Sequence, residues 1–172
     1  MGRPNRYALL FFRRYTVKTL KEQQIELSSK AMQTASVIKQ HLQLLMADIN
    51  RISHGSTFFS FDENSRKKHS EQLYSIFSYN SLETSKAMSI LAEKNAKLAS
   101  LLIAADKAKD VELISLCERK FNAYESLERN YYEYIASIEK EFNESILTVN
   151  FLVRAIQKLE LQLDAFINVL NA

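Results

Sequence analysis

The 172-residue sequence contains only two glycines, one proline, one cysteine and no tryptophan. Neither glycine nor proline occurs in the 117 residues that follow Gly55. Because these two residue types are the strongest helix breakers, their absence predicts long uninterrupted helices in this part of the chain. A glycine-rich phosphate-binding loop is excluded as well, since the two glycines are Gly2 and Gly55.

The chain has too few cysteines for an intrachain disulfide or for thiolate–metal chemistry. Cys117 is the single cysteine, which excludes an intrachain disulfide and a metal cage built from thiolates. It lies on an apolar helical stripe, so we expect a buried structural thiol and not a nucleophile. The longest early apolar run, Tyr7–Phe12, is too short for a signal-peptide core or a membrane span. These features predict a soluble, unprocessed protein of the cytoplasm.

Residues for metal or acid–base chemistry are sparse. His41, His54 and His69 stand 13 and 15 residues apart, whereas two metal ligands on one helix face are three or four apart. No Glu-x-x-His pair of the di-iron bundles is present. We therefore expect no catalytic site, no metal and no cofactor, and predict a protein that is not an enzyme.

The apolar pattern has the spacing of helices that pack along a seam. We predict a helix arm over residues 5–53, a connection over 54–64, and a helical region over 65–171 with soft points near 80 and 107. In the arm the predicted seam is Leu10, Val17, Leu20, Gln24, Leu27, Ala31, Thr34, Ile38, His41 and Leu45. In the last third it is Tyr131, Ile135, Ile138, Phe142, Ile146, Val149, Leu152, Ile156, Leu159, Leu163, Phe166 and Leu170. The apolar surplus after Ile146 predicts two packing neighbours for this tail.

The expected fold is therefore a single all-α domain. It is a long antiparallel helical hairpin or coiled coil, or the same helices folded back into an elongated three- or four-helix bundle. One helix from about 62 to 170 would be about 160 Å long, whereas breaks near the soft points would give a bundle of about 70 Å.

Three groups of residues are candidates for partner binding. Residues 1–21 carry a charge of +6 and the rest of the chain carries −3, which makes the N-terminus a basic amphipathic segment. Aromatic clusters follow in the connection and near position 130. Each group also has an alternative interpretation. The N-terminus could be solvated, the aromatic residues of the connection could cap the core locally, and the aromatic residues near position 130 could pack in the core. The candidate binding residues are Arg6, Arg13, Arg14, Lys18, Phe58, Phe59, Phe61, Tyr124 and Tyr131.

Two patches of the chain resemble the FliJ family, the coiled-coil stalk proteins of flagellar type III export. They are Arg6-Tyr7-x-Leu9 with Val17-Lys18-x-Leu20-Lys21-Glu22-Gln23-Gln24-x-Glu26-Leu27, and Glu112-Leu113-x-x-Leu116-x-Glu118-Arg119-Lys120-Phe121-x-x-Tyr124. The resemblance implies an antiparallel two-helix coiled coil that inserts into the hexameric export ATPase ring and touches the export gate. The Phe58–Phe61 connection and the apolar tail from Ile146 to Leu170 depart from such a stalk.

We expect a non-enzymatic interaction or structural component of a larger assembly, first of all a type III export stalk or chaperone that engages the ATPase ring. A second hypothesis is a compact helical bundle that binds a ligand or senses a signal. A third is a peripheral membrane protein attached through its basic N-terminal helix. A homo-oligomer is compatible with each, whereas the small net charge of +3 disfavours nucleic acid as the partner.

Overall fold

The structure is a computed structural model that describes residues 18–55 and 62–172. Within these ranges the chain forms four helices and no strand: α1 (Leu20–Gly55), α2 (Glu63–Lys107), α3 (Val111–Glu144) and α4 (Val149–Leu170). The predicted all-α fold is confirmed. The predicted arm residues 5–17, and most of the predicted connection, lie outside the described residues.

The four helices pack as a ring. Helix α1 contacts α2 and α4, and α3 contacts α2 and α4, so each helix has two main neighbours. Two neighbours for the apolar tail, now α4, were predicted and are confirmed. With 45 residues, α2 is the longest helix at about 68 Å. A single helix from 62 to 170 is excluded, and the hairpin is folded back into a bundle.

Short polar side chains mark where all four helices begin. At the start of α2, Asp62 accepts from the Asn64 amide (3.2 Å). The Thr19 hydroxyl accepts from the Glu22 amide (3.1 Å), Asp110 accepts from the Leu113 amide (3.2 Å), and Thr148 accepts from the Phe151 amide (3.2 Å). Each bond satisfies a backbone N–H that has no partner in the first helical turn. Side-chain caps therefore mark the helix starts in a chain that has almost no glycine or proline.

The turn between α2 and α3 spans residues 108–110, close to the predicted soft point near 107. Lys109 has a φ of 55°, the left-handed conformation that glycine adopts most readily. Its amide donates to the Asp106 carbonyl (3.1 Å), and Asp110 then caps α3. At the other soft point, near 80, α2 continues without interruption.

A second break separates α3 from α4, where the sequence pattern predicted one continuous packed segment. Ser145 is extended (φ −146°, ψ −154°), and Leu147 is buried in place of Ile146. The Leu147 amide donates to the Ser70 hydroxyl of α2 (2.8 Å), so the loop is tied to the bundle. The expected continuity was wrong because the three–four spacing of apolar residues carries across the loop.

The buried face of α1 also differs in part from the predicted seam. Gln24, Ala31, Ile38 and Leu45 are on it, as predicted. The alternate positions are shifted by one residue and are occupied by Ser28, Ala35 and Leu42 instead of Leu27, Thr34 and His41. In α4, every predicted seam position from Leu152 to Leu170 is buried.

Helix α4 is much shorter than its neighbours. Its 22 residues span about 33 Å, whereas the 34 residues of α3 span about 51 Å. The main hydrophobic cluster lies where all four helices are present, and a second, smaller one lies beyond the end of α4. The smaller cluster is centred on Leu98, Leu101, Ala105, Leu113 and Cys117. The bundle therefore has a four-helix part and a three-helix end.

Candidate functional site

The described candidate residues do not form one surface. Tyr124 and Tyr131 are buried in the main hydrophobic cluster, so neither ring is available to a partner. Lys18 is exposed at the start of the described chain and pairs with Glu26. Arg6, Arg13, Arg14, Phe58, Phe59 and Phe61 lie outside the described residues.

The two buried tyrosines are core residues with polar tips. The Tyr131 hydroxyl shares hydrogen bonds with the hydroxyls of Ser85 (2.7 Å) and Thr84 (3.1 Å), which joins α3 to α2. The Tyr124 hydroxyl donates to Glu128 (2.6 Å). Burial, followed by this hydrogen bond to Glu128, raises the pKa of Tyr124 well above its ordinary value. The prediction that Tyr124 and Tyr131 bind a partner is therefore wrong.

A buried polar layer separates the two hydrophobic clusters at the level where α4 ends. The Lys120 ammonium of α3 donates to the Gln24 side-chain carbonyl and to the Ser28 hydroxyl (2.9 Å), both on α1. Ser28 in turn donates to the Gln24 oxygen (2.9 Å). These three residues tie α1 to α3 across the bundle.

Lys120 is the least expected member of this polar layer. It is only 3% exposed, and no carboxylate pairs with it in the part of the chain that the structure describes. Burial lowers the pKa of this amine below its ordinary value, because the charged form loses its hydration. The nearby Arg119 charge lowers it further. The burial of Lys120 was not predicted, although its place on the stripe Leu113, Cys117, Lys120 and Tyr124 is a sequence signal for it.

A small cavity adjoins the polar layer. It offers about 20 Å³ to a water-sized molecule and is bordered by Lys120, Ser28, Asn95 and the last turn of α4. This volume accommodates one water. The Asn95 side-chain oxygen at its edge is buried and has no hydrogen-bond partner. We assign the layer a structural role, since buried polar residues of this kind fix the register of packed helices.

Cys117 lies directly below this layer and is fully buried, as the sequence predicts. Burial raises the pKa of its thiol above the ordinary value, and the positive charge of Lys120 opposes this shift. A thiol that is buried and protonated is a poor nucleophile. Its contribution is to pack the three-helix end.

Four exposed apolar side chains of the described chain lie along α1 and α2. The two helices meet where the Asn80 side-chain amide donates to the His41 carbonyl (2.7 Å). Val37 and Leu44 flank His41 on α1, and Tyr79 precedes Asn80 on α2. Ile90 follows Tyr79 by about three helical turns and so lies on the same side of α2. We call Val37, Leu44, Tyr79 and Ile90 the apolar face.

The side chains of the apolar face are largely exposed, at 42% for Val37, 59% for Leu44, 79% for Tyr79 and 45% for Ile90. Most charges beside them are paired within their own helices, whereas Lys94, one turn after Ile90, has no carboxylate partner among the described residues. These ion pairs are Glu26–Lys30 (2.9 Å), Glu83–Lys86 (3.1 Å), Glu93–Lys97 (3.3 Å) and Asp48–Arg51. The face is thus apolar with nearly neutral surroundings, which suits another protein surface better than a polyanion.

Metal clusters and membrane spans are absent from residues 18–55 and 62–172. No group of three or more metal-ligating side chains is found there. None of the four helices has a stretch long and apolar enough to cross a membrane. Comparison of the chain with family models, curated proteins and solved structures finds no match.

Proposed function

We propose that this protein is a non-enzymatic binding component of a larger protein assembly, and that the apolar face of α1 and α2 is its docking surface. The observation that carries the proposal is the exposure of Val37, Leu44, Tyr79 and Ile90 along one side of a helical hairpin. The occupant is an amphipathic helix of another protein, which would lay its apolar stripe along the furrow between α1 and α2.

The size of the expected effect follows from burial. Covering a leucine side chain that was exposed contributes about 1.5 to 3 kcal/mol to association. An aspartate in place of Leu44 loses this contribution and adds the cost of burying a charge. Leu44→Asp should therefore weaken binding by at least about tenfold, since 1.4 kcal/mol corresponds to one order of magnitude.

Site-specific photo-crosslinking in the native cell tests the docking surface before the partner is known. A photoreactive amino acid is placed at position 44, or as a matched control at Leu161, which is 70% exposed on the outer side of α4. We expect a discrete adduct from position 44 that Tyr79→Asp abolishes, and none from position 161. The same adduct from both positions, or none from either, would refute the docking surface. An adduct of twice the 19.9 kDa chain mass would show a second copy as the occupant and refute a hetero-partner.

The first partner that we propose is a hexameric export ATPase, and its support is the resemblance to FliJ-like stalk proteins. The α1–α2 hairpin has the antiparallel pairing of such a stalk, and α3 and α4 pack against the side opposite its apolar face. Sedimentation with a purified ATPase ring is the test, in which wild type and Leu161→Asp should co-sediment and Leu44→Asp should not. A wild-type chain that stays in the supernatant would reject this partner, while the crosslinking result decides on the docking surface separately.

A further inference from the structure

On α1 and α3, the heptad positions that face α4 recur beyond the point where α4 ends. On α1, Lys39 pairs with Asp164 of α4, and Met32, one heptad earlier, packs against the main cluster. Ile25, one heptad earlier again, is 55% exposed. On α3, Asn130 borders the furrow against α4, and Leu116, two heptads earlier, is only half-buried.

Helix α4 stops short of this region. Leu170 and Phe166 of its last turns border the same small cavity as Ser28 of α1 and Lys120 of α3. Beyond that level, α1, α2 and α3 form the three-helix end without a fourth helix among the described residues. We call the side of this end that carries Ile25 and Leu116 the fourth-helix groove. The polar layer of Gln24, Ser28 and Lys120 lies at the end of the groove where α4 stops.

The seventeen residues that precede the described chain enter the structure at this same end. Thr19 caps α1, so Lys18 and Thr19 already lie outside that helix. From Leu20 to Ser28 the groove extends along α1 for about 12 Å, and a helix of ten residues would span about 15 Å. Residues 8–17 are thus sufficient to run back along α1 as far as the end of α4.

The sequence of this segment has the apolar content that the groove lacks. The run Tyr7–Phe12 is six consecutive apolar residues, and a return along α1 brings it to the level of Ile25. The exposed charges three or four residues from Ile25 and Leu116 are Lys21, Glu22, Glu112 and Arg119, which balance. The last turn of α4 has no basic residue, so its carbonyl end also favours the basic start of the segment. Apolar contact is therefore the main attraction.

We infer that residues 7–17 of this chain dock in the fourth-helix groove and complete a four-helix bundle along its whole length. This docking is independent of the proposed function, because it uses the α1–α3 side of the bundle and not the apolar face. It sequesters the Tyr7–Phe12 run from other proteins and from membranes.

Paramagnetic relaxation measurements on the full chain test the inference. A nitroxide label is attached at Arg119→Cys beside the groove, or at Lys86→Cys on the outer side of α2 as a control. Cys117 stays unlabelled because its thiol is buried and its pKa is raised. We expect the amide signals of residues 7–12 to lose most of their intensity with the label at position 119 and to keep it with the label at position 86.

Two further samples complete the test. Ile25→Asp changes an exposed side chain and so preserves the fold, yet it should restore the amide intensities of residues 7–12 in the Arg119→Cys protein. Full intensity in the original labelled protein, or no effect of Ile25→Asp, would overturn the inference. A mixture of spin-labelled protein with isotope-labelled, nitroxide-free protein should show no loss. A loss in that mixture equal to that in the single chain would assign the groove to a second copy and would also overturn it.

Discussion

Replacement of Lys120 by methionine should make the protein more stable at neutral pH. The ammonium is buried between two hydrophobic clusters and has hydrogen bonds to Gln24 and Ser28 but no carboxylate partner among the described residues. Its lowered pKa means that the folded state disfavours the charge. Methionine has a similar length, and Ser28 still donates to Gln24 in its presence, so that oxygen is not left unpaired.

The expected gain is about 1 to 2 kcal/mol, at the low end of what is found when buried charges are replaced by apolar side chains of similar volume. For a protein of this size, that gain corresponds to a rise in Tm of about 2 to 8 °C. Thermal and urea unfolding followed by circular dichroism provide the measurement. Lys86→Met, which removes an exposed lysine paired with Glu83, is the control and should change stability by less than about 1 kcal/mol.

The pH dependence gives a second readout of the same substitution. Because the pKa of Lys120 is lower in the folded chain than its ordinary 10.5, the unfolded chain binds the proton more tightly. The cost of the charge is fully present below the folded pKa and is relieved as the pH rises through that value toward 10.5. The advantage of Lys120→Met should therefore shrink in this range, by at most about 1.4 kcal/mol per pH unit. Cys117 acts in the same comparison, because loss of the Lys120 charge raises the pKa of its thiol further. A raised thiol pKa reduces stability as the pH rises above its ordinary value, so this effect also makes the advantage of Lys120→Met shrink.

A loss of more than about 1 kcal/mol in Lys120→Met at neutral pH would refute this reasoning. It would mean that the two hydrogen bonds of the ammonium outweigh its desolvation. An advantage of the variant that stays constant between pH 7 and pH 10.5 would refute the electrostatic origin and leave packing as the cause.

Three further substitutions test other contacts. Tyr131→Phe removes the hydroxyl that joins α3 to α2 and should cost about 1 kcal/mol in urea unfolding, whereas Tyr132→Phe, at an exposed ring, should cost nothing measurable. Thr148→Ala removes the α4 cap and should also cost about 1 kcal/mol; an unchanged unfolding midpoint would show that the cap is dispensable. Lys18→Ala should raise the pKa of Glu26 from about 2 toward 4.5 in an NMR titration, because hydrogen bonds from Lys18 and then Lys30 hold it low. The ionised Glu26 carboxylate stabilises the fold above its ordinary pKa, and this effect is lost as the pH falls toward 2. Because the ion pair is exposed, Lys18→Ala should leave the Tm at neutral pH unchanged.

The fold class followed from sequence spacing because apolar periodicity reports directly on which side of a helix is buried. The six seam positions of α4 are the clearest case, since that helix is apolar enough to leave little choice of face. In α1 the choice between Leu27 and Ser28 was decided by tertiary packing. Ser28 is buried because Lys120 and Gln24 satisfy its hydroxyl, which local periodicity does not register.

The helix ends were harder to predict than the helices. The break at Ser145–Thr148 contains no glycine or proline and leaves the apolar spacing intact, so it depends on the Thr148 cap and on the bond from Leu147 to Ser70 in a distant helix. The apolar face was not predicted either. Val37 and Leu44 become recognisable as exposed only after the buried positions of α1 are known.

The polar layer separates two hydrophobic clusters of unequal size, so the two parts of the molecule differ in local stability. Beyond α4, the first turns of α1 and α3 pack on a cluster with only five buried members. Such a region opens at a lower free energy than the rest of a domain. Hydrogen exchange should therefore be fastest in the turns on either side of residue 109 and in the first two turns of α1, and slowest around Ile38, Leu42 and Ile138. Even with residues 7–17 docked in the groove, this end would be the part of the bundle that opens first, without global unfolding of the four-helix part.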